Sequence, residues 1–300
     1  MRITALSGGV GGARLLRGLA TIEDLDLTAV VNTADDDRIY GLCVSPDLDT
    51  VTYTLAGVHS DERGWGRTDE TWTVMDELGR FPLDASFRLG DRDLALNLYR
   101  TTRLAEGATL TQITGEITKS FGVGVSVLPA TDDMIRTRLQ VDGTWIDFQD
   151  YFVRRRHAVP VTGVRFDGAD SARPSPAVIE ACERADVVVI GPSNPILSIW
   201  PILAIPGIRE AIAGKRVLAV SPLIGGRAIK GPLADLLPMF GYSTDTRGIV
   251  DAYDGLLTDI VIDRTDRAGD LAGVTVHTSQ TLIVEESHAR RLATEIVSWL

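Results

Sequence analysis

Cysteine is nearly missing. The 300-residue chain holds two, Cys43 and Cys182, which argues against a disulfide framework or a zinc cluster. Both read as small buried apolar residues, and neither has the setting of a reactive thiol. The four histidines, His59, His157, His277 and His288, show no metal-ligand spacing. A long hydrophobic run is lacking too. The most apolar stretch, Ile196 to Ile208, is broken by Pro201 and Pro206 and is too short to span a bilayer. No Gly-x-Ser-x-Gly elbow supports hydrolysis through a covalent serine. Net positive charge is absent: 30 Lys and Arg face 41 Asp and Glu, a formal charge of −11. Such a surface disfavours loose binding to nucleic acid or an anionic membrane. The chain shows no internal repeat, low-complexity tract or flexible linker, and no signal-peptide pattern. The expectation is a cytoplasmic protein with no nucleic-acid or membrane partner.

What is present begins with Leu6-Ser7-Gly8-Gly9-Val10-Gly11-Gly12-Ala13-Arg14. A short apolar strand, Ile3 to Leu6, precedes it, and a helical pattern, Leu15 to Ala20, follows. Strand, glycine turn and helix form the phosphate-binding corner of doubly wound α/β proteins. Glycine permits positive φ and close backbone approach, and a helix N-terminus offers free N–H groups to an anion. The stretch is not the dinucleotide fingerprint, because Arg14 stands where the third glycine would fall. It is not a P-loop either, because no Gly-Lys-Ser/Thr ends it. An NAD-linked oxidoreductase is disfavoured accordingly.

The second strand, Leu27 to Val31, runs into the polar loop Asn32-Thr33-Ala34-Asp35-Asp36-Asp37. Ligands of open α/β sheets bind at that edge. Ser45-Pro46-Asp47-Leu48-Asp49-Thr50 then leads to a helix from Val51 to Ala56, with Ser45 and Asp47 as plausible caps. The βα rhythm lapses between His59 and Arg156. There Thr71–Leu78, Asp91–Leu104 and Thr109–Phe121 read as helices. Thr137 to Phe148 reads as a hairpin around the type I′ pair Asp142-Gly143. The rhythm returns with the strand Val159–Phe166, the helix Pro176–Arg184 and the buried strand Val187–Ile190. The helix Gly207–Ala213, the strands Arg216–Val220 and Thr258–Ile262, and a closing helix Glu285–Leu300 complete the chain. The fold class is α/β: a doubly wound, Rossmann-like, mainly parallel sheet in a single domain over 1–300. Residues 59–156 are expected as a largely helical insertion covering the sheet edge.

Several clusters carry candidate chemistry. Asp35, Asp36, Asp47 and Asp49 crowd carboxylates that repel unless a cation intervenes, and such hard oxygen ligands suit magnesium. Capping and solvation offer the bland explanation, which fits Asp37. Gly90-Asp91-Arg92-Asp93 opens a helix; the aspartates can cap it, and Arg92 can clamp a phosphate or carboxylate. Ser193 and Asn194 follow a central strand, where short polar side chains can read a base or ribose; turn formation would also explain them. Gly225, Gly226 and Lys230 form a third glycine-rich corner.

Six of these stretches resemble a known family in their order along the chain. They are Ser7 to Arg14, Asn32 to Asp36, Ser45 to Val51, Leu89 to Asp93, Gly191-Pro192-Ser193-Asn194-Pro195, and Ser221 to Gly226. Together they look like the 2-phospho-L-lactate transferase family of coenzyme F420 biosynthesis. The resemblance implies transfer of a phospholactyl or phosphoenolpyruvyl group from a guanosine diphosphate ester to the deazaflavin Fo. It implies Mg2+ as cofactor, GMP as product and a homodimer. On this reading Gly8, Gly9, Val10, Gly11, Gly12 and Arg14 cradle phosphate, with Gly225 and Lys230 nearby. Ser193 and Asn194 meet the guanosine. Asp47 and Asp49 bind metal or orient the attacking hydroxyl. Asn32, Thr33, Asp35, Asp36, Gly90, Asp91 and Arg92 serve Fo. A related group of regulatory proteins, which binds nucleotide sugars without known catalysis, lacks the Pro46-Asp47-Leu48-Asp49-Thr50 pattern.

Overall fold

Strands buried on both faces need apolar residues at successive positions, and the apolar runs of this chain become one sheet. In the computed structural model, which describes residues 1–155, 157–228, 231–269 and 271–300, the sheet has seven parallel strands. They are β1 (Arg2–Ser7), β2 (Asp26–Val31), β3 (Ser126–Pro129), β4 (Val187–Ile190), β5 (Arg216–Val220), β6 (Asp259–Asp263) and β7 (Thr275–Ser279). Their order is β7-β6-β5-β4-β1-β2-β3. From β1 the chain first winds one way, to β2 and β3, and later the other way, to β4 and beyond. The reversal lies between β1 and β4, which pair in register from Ile3 with Val187 to Leu6 with Ile190.

Alternation along the strands divides the core into two layers. Ile3, Ala5, Val187 and Val189 face α1 (Gly9–Leu19), α2 (Pro46–Leu55) and the last helix, α7 (Glu286–Trp299). Leu6, Val188 and Ile190 face the other layer, where α6 (Pro176–Arg184) supplies Val178 and Cys182. Gly18 lets α1 approach α7 closely, since a Cβ there would collide with the Ala289 carbonyl. Among the described residues no helix is long and apolar enough to cross a membrane.

The span 59–156 contains the expected helices: α3 (Thr73–Leu78), α4 (Asp91–Ala105) and α5 (Leu110–Ser120). Thr109 caps α5 by taking the Gln112 N–H, and the Gln112 side chain returns the bond. The span is not only helical, however. It also supplies β3 to the main sheet and the hairpin Arg136–Val141 with Thr144–Asp147. Asp142 and Gly143 both have positive φ, 50° and 75°, as a type I′ turn requires. The strand expected at Val159–Phe166 forms at Gly163–Asp167. It pairs antiparallel with Arg136–Val141 and stays outside the main sheet. β7 has no counterpart in the sequence reading. Its Thr-Val-His-Thr-Ser run is polar because it lies at an edge.

Two local expectations need correction. The glycines do not form a turn ahead of the helix. The helix starts at Gly9, with Gly8 as its N-cap, so Gly9 to Gly12 are its first turn. Nor do Asp47 and Asp49 precede a helix beginning at Val51. Pro46 starts α2, its fixed φ suiting the first helical position, and both aspartates lie in the first turn.

Candidate functional site

The carboxyl ends of β1, β4 and β5 open onto a cleft of about 150 Å³. Val10, Gly11 and Arg14 come to it from α1, Pro192 and Asn194 from the loop after β4, and Ser221 and Pro222 from the loop after β5. Thr281 to Ile283 and the hairpin residues Ile224 and Ala228 form the far wall. This is the switch point of the sheet, where open α/β sheets take their ligands. Two glycines are there for packing: a Cβ on Gly11 would strike the Pro192 carbonyl, and one on Gly12 the hydroxyls of Ser7 and Ser193. Gly9 differs. Its φ is +66°, and nothing lies within 4 Å of where a Cβ would stand. Helix geometry leaves the Val10 and Gly11 amides without acceptors inside α1.

The acidic edge is joined to this helix end. Asp47 Oδ1 accepts the Gly9 N–H at 2.7 Å, and Asp47 Oδ2 accepts the Asn32 side-chain amide at 3.0 Å. Asp47 therefore caps α1 rather than its own helix, and its charge faces the positive end of α1. Ser45 holds the N-cap position of α2 but turns its hydroxyl to Asp36 Oδ2, at 2.7 Å. Asn32 is fully buried and folds its own loop by accepting the Ala34 N–H. Oδ1 of Asp35, Oδ1 of Asp36 and the Thr33 hydroxyl are buried without a hydrogen-bond partner.

Burial raises the pKa of each of these carboxyls. Asp47 is pushed up to about 6 and Asp36 to about 8. Asp35 lies well above the carboxylate range, from burial first and from the Asp47 charge second. Among the described residues no three His, Cys, Asp or Glu side chains group in a way that would hold a metal by themselves. Magnesium commonly needs only one or two carboxylates, with water and substrate phosphate completing its shell. The orphaned oxygens of Asp35 and Asp36 beside Asp47 fit such a partial set.

Asp49 points elsewhere. Residues two apart on a helix do not share a face, and the Asp49 carboxylate pairs with Arg100 of α4. Arg100 is 2% exposed and also donates to the Cys43 carbonyl at 3.2 Å and to Asn97 Oδ1 at 2.6 Å. Asp93 completes this buried group by accepting the Tyr53 hydroxyl at 2.7 Å. Burial and the neighbouring Asp49 charge push Asp93 up to about 7. The sequence reading missed Asn97 and Arg100. A signal existed: Asp93, Asn97 and Arg100 recur at helical spacing on one face of α4.

Other expected site residues have structural partners. Arg14 lines the cleft, but its guanidinium binds the Ile283 carbonyl at 2.8 Å and Asp61 at 2.9 Å. Ser193 is buried and donates to the Gly8 carbonyl at 2.7 Å. Asn194 lines the cleft while its side chain caps the turn Pro195–Ile199 through the Ile196 and Leu197 N–H groups. Gly225 and Gly226, at φ 60° and 70°, make the turn of a two-stranded hairpin, Leu223–Ile224 with Arg227–Ala228. They form no phosphate corner of the strand–glycine–helix kind. Lys230 lies outside the described residues. Asp91 accepts from Thr71 Oγ and from the Thr73 and Val74 N–H groups, so it anchors the start of α3. Gly90 makes room for Glu70, which accepts the Arg92 and Asp93 N–H groups and caps α4. Arg136 and Gln149 were also missed; they brace the acidic loop, through Asp37 at 2.6 Å and the Asp35 carbonyl at 2.9 Å.

A doubly wound α/β protein with a helix N-terminus at its switch point, and a carboxylate cluster joined to that helix end by Asp47, has the features that suit a charged phosphate ester. Residues 3–297 match the family described as 2-phospho-L-lactate transferase CofD, and the chain belongs to that family. It is 41% identical to the 2-phospho-L-lactate transferase of Methanopyrus kandleri, over 99% of this chain and 97% of that one. It is 42% identical to the phosphoenolpyruvate transferase of Thermobifida fusca, over 92% and 90%. A solved UPF0052-family protein of Bacillus halodurans shares the fold, with a TM-score of 0.66 at 19% identity over 99% and 98% of the two chains. The chain is thus a CofD-type transferase.

Proposed function

We propose that this protein acts in F420 biosynthesis, moving a phospholactyl or phosphoenolpyruvyl group from lactyl- or enolpyruvyl-2-diphospho-5′-guanosine to the deazaflavin Fo. The products are F420-0 or dehydro-F420-0 and GMP. The observation that carries this reading is the meeting of Gly9 and Asp47 at the start of α1, whose next residues, Val10 and Gly11, line the switch-point cleft. It sets phosphate-binding amides beside carboxylates that titrate near neutrality. Relatives of both names, at 41% and 42% identity, support either organic acid on the donor.

Phosphoryl transfer asks the protein for alignment and charge neutralisation more than for covalent chemistry. The diphosphate lies on the amides of Val10 and Gly11, and the nucleoside extends into the cleft towards Asn194 and Ser221. The primary hydroxyl of Fo attacks the phosphorus bearing the organic acid. The bond from that phosphorus to the bridging oxygen breaks, and GMP leaves with the oxygen. The hydroxyl proton passes to a carboxylate of the acidic edge, where a pKa near the working pH favours a general base. Asp47 and Asp35 would hold Mg2+ as its one or two carboxylates, which leaves Asp36 as the candidate base. When bound, the ion supplies positive charge against the diphosphate. Asp49 acts from behind, through its pair with Arg100. The working form is proposed as a cytoplasmic homodimer.

The test incubates the protein with Fo, magnesium and each guanosine diester in turn, and identifies products by mass spectrometry. A phosphorylated deazaflavin with GMP is the expected pair. If neither diester yields it, the assignment fails.

A further inference from the structure

The far wall of the cleft is made of two pieces that do not touch the glycine helix in sequence. One is the loop after β7, with Thr281 and Leu282. The other is the hairpin Leu223–Ala228 after β5. Neither is a regular element of the sheet, so something must hold both in register with the strands. The last residue of β6 does this. Asp263 is 4% exposed. Its Oδ1 accepts the Thr265 N–H at 3.0 Å and the Thr265 hydroxyl at 2.6 Å. Its Oδ2 accepts the Thr281 N–H at 2.9 Å and the Thr281 hydroxyl at 3.4 Å. The loop gripped through Thr265 reaches on to the hairpin, where Asp266 accepts the Gly226 N–H at 2.5 Å.

One carboxylate therefore ties both halves of the wall to the end of one strand. We infer that Asp263 is a positioning residue for the nucleoside end of the donor: it touches no substrate but sets the wall against which that end packs. The inference rests on the reading above that a guanosine diester occupies this cleft. Four donors converge on the two oxygens, an arrangement that only an ionised carboxylate satisfies in full. Burial alone would raise the pKa of Asp263; the donors more than offset it, so the group stays charged below the usual carboxylate range.

Asp263→Asn changes one oxygen to an amide nitrogen. Whichever way the amide sits, an N–H then faces a pair of donors, and one half of the wall loses its anchor. Thr265→Val is the gentler variant. Thr265 is exposed, so the change leaves the core intact and removes only the 2.6 Å bond. The experiment measures KM and kcat for the guanosine diester and, by calorimetry, the affinity for GDP, with thermal melts alongside. The expected result is a KM for the diester and a Kd for GDP raised on the order of tenfold by Asp263→Asn, a loss of one to two good hydrogen bonds. Thr265→Val is expected to shift both in the same direction by less. The KM for Fo and the kcat stay within about threefold in both variants, as for loss of uniform binding. A purely structural Asp263 would lower the melting point and reduce kcat while both KM values stay put or rise together, and that pattern overturns the inference. Unchanged diester KM in a well-folded Asp263→Asn also overturns it. Wild-type protein that binds no GDP and turns over no diester refutes the functional reading instead, and the inference falls with it.

Discussion

The Asp47 carboxylate accepts the Gly9 N–H at 2.7 Å, joining two stretches that lie 38 residues apart. The contact sets a negative charge at the positive end of α1, beside the Val10 and Gly11 amides that have no acceptor inside the helix. Asp47→Asn tests what that charge is for. An asparagine keeps one acceptor for Gly9, so α1 stays capped, though its N–H₂ then faces the Asn32 amide. We expect turnover to fall on the order of 10²-fold, as for lost electrostatic contact at a reacting phosphate, with a melting point within a few degrees of wild type. Activity within a few-fold of wild type across a magnesium titration would return Asp47 to a capping role.

Stability should fall as pH rises through the window set by the acidic edge. Asp36 titrates near 8 and Asp47 near 6 in the folded chain, both raised by burial. Unfolded, each titrates near 4. Between these values the unfolded chain releases protons that the folded chain retains, so ionisation favours unfolding. The stabilisation is complete below about pH 4 and is lost as pH rises towards 8. A cation that binds the ionised carboxylates reverses this. Thermal melts at pH 5 and pH 8, with and without magnesium, are expected to show protection at pH 8 and almost none at pH 5. Equal protection at both would count against binding at these carboxylates.

The Arg100–Asp49 pair makes the plainest stability prediction. Both side chains are nearly inaccessible, and Arg100 spends further donors on Asn97 and the Cys43 carbonyl. Arg100→Met keeps the length but strands Asp49 as a buried charge. The expected cost is about 3–5 kcal/mol in urea unfolding. A loss under about 1 kcal/mol would show that Asp49 finds water or a proton without difficulty.

The sequence reading recovered the elements that carry their own signal. Val187–Ile190 is apolar at every position. Leu110–Ser120 has its capping box, and Asp142-Gly143 its turn pair. It placed the glycine helix and the acidic loop at one edge of the sheet, and they do leave adjacent strands, β1 and β2. What it could not see was pairing across distance. Asp47 and Asp91 each cap a helix other than their own, Glu70 caps α4 from the loop before α3, and spacing within one segment says nothing about a neighbour's orphan N–H groups. β7 escaped because an edge strand can be polar. Two adjacent glycines suit a hairpin turn and a phosphate corner equally well, so Gly225-Gly226 carries no sequence signal that separates the two.

The glycines of α1 permit a last test that separates packing from ligand approach. Gly11→Ala would drive a Cβ into the Pro192 carbonyl. Backbone must then move, and we expect both stability and turnover to suffer. Gly9→Ala is different. Its Cβ would stand in open space, so the folded chain pays only for a left-handed alanine, about 1–2 kcal/mol. If the donor diphosphate occupies that space, the methyl group blocks it. The expected outcome for Gly9→Ala is a modest drop in melting temperature with the diester KM raised on the order of tenfold, equivalent to about 1.4 kcal/mol, and the Fo KM unchanged. A Gly9→Ala protein with an unaltered diester KM would place the phosphates away from this helix end. The glycines at 11 and 12 would then be explained by packing against Pro192, Ser7 and Ser193 alone.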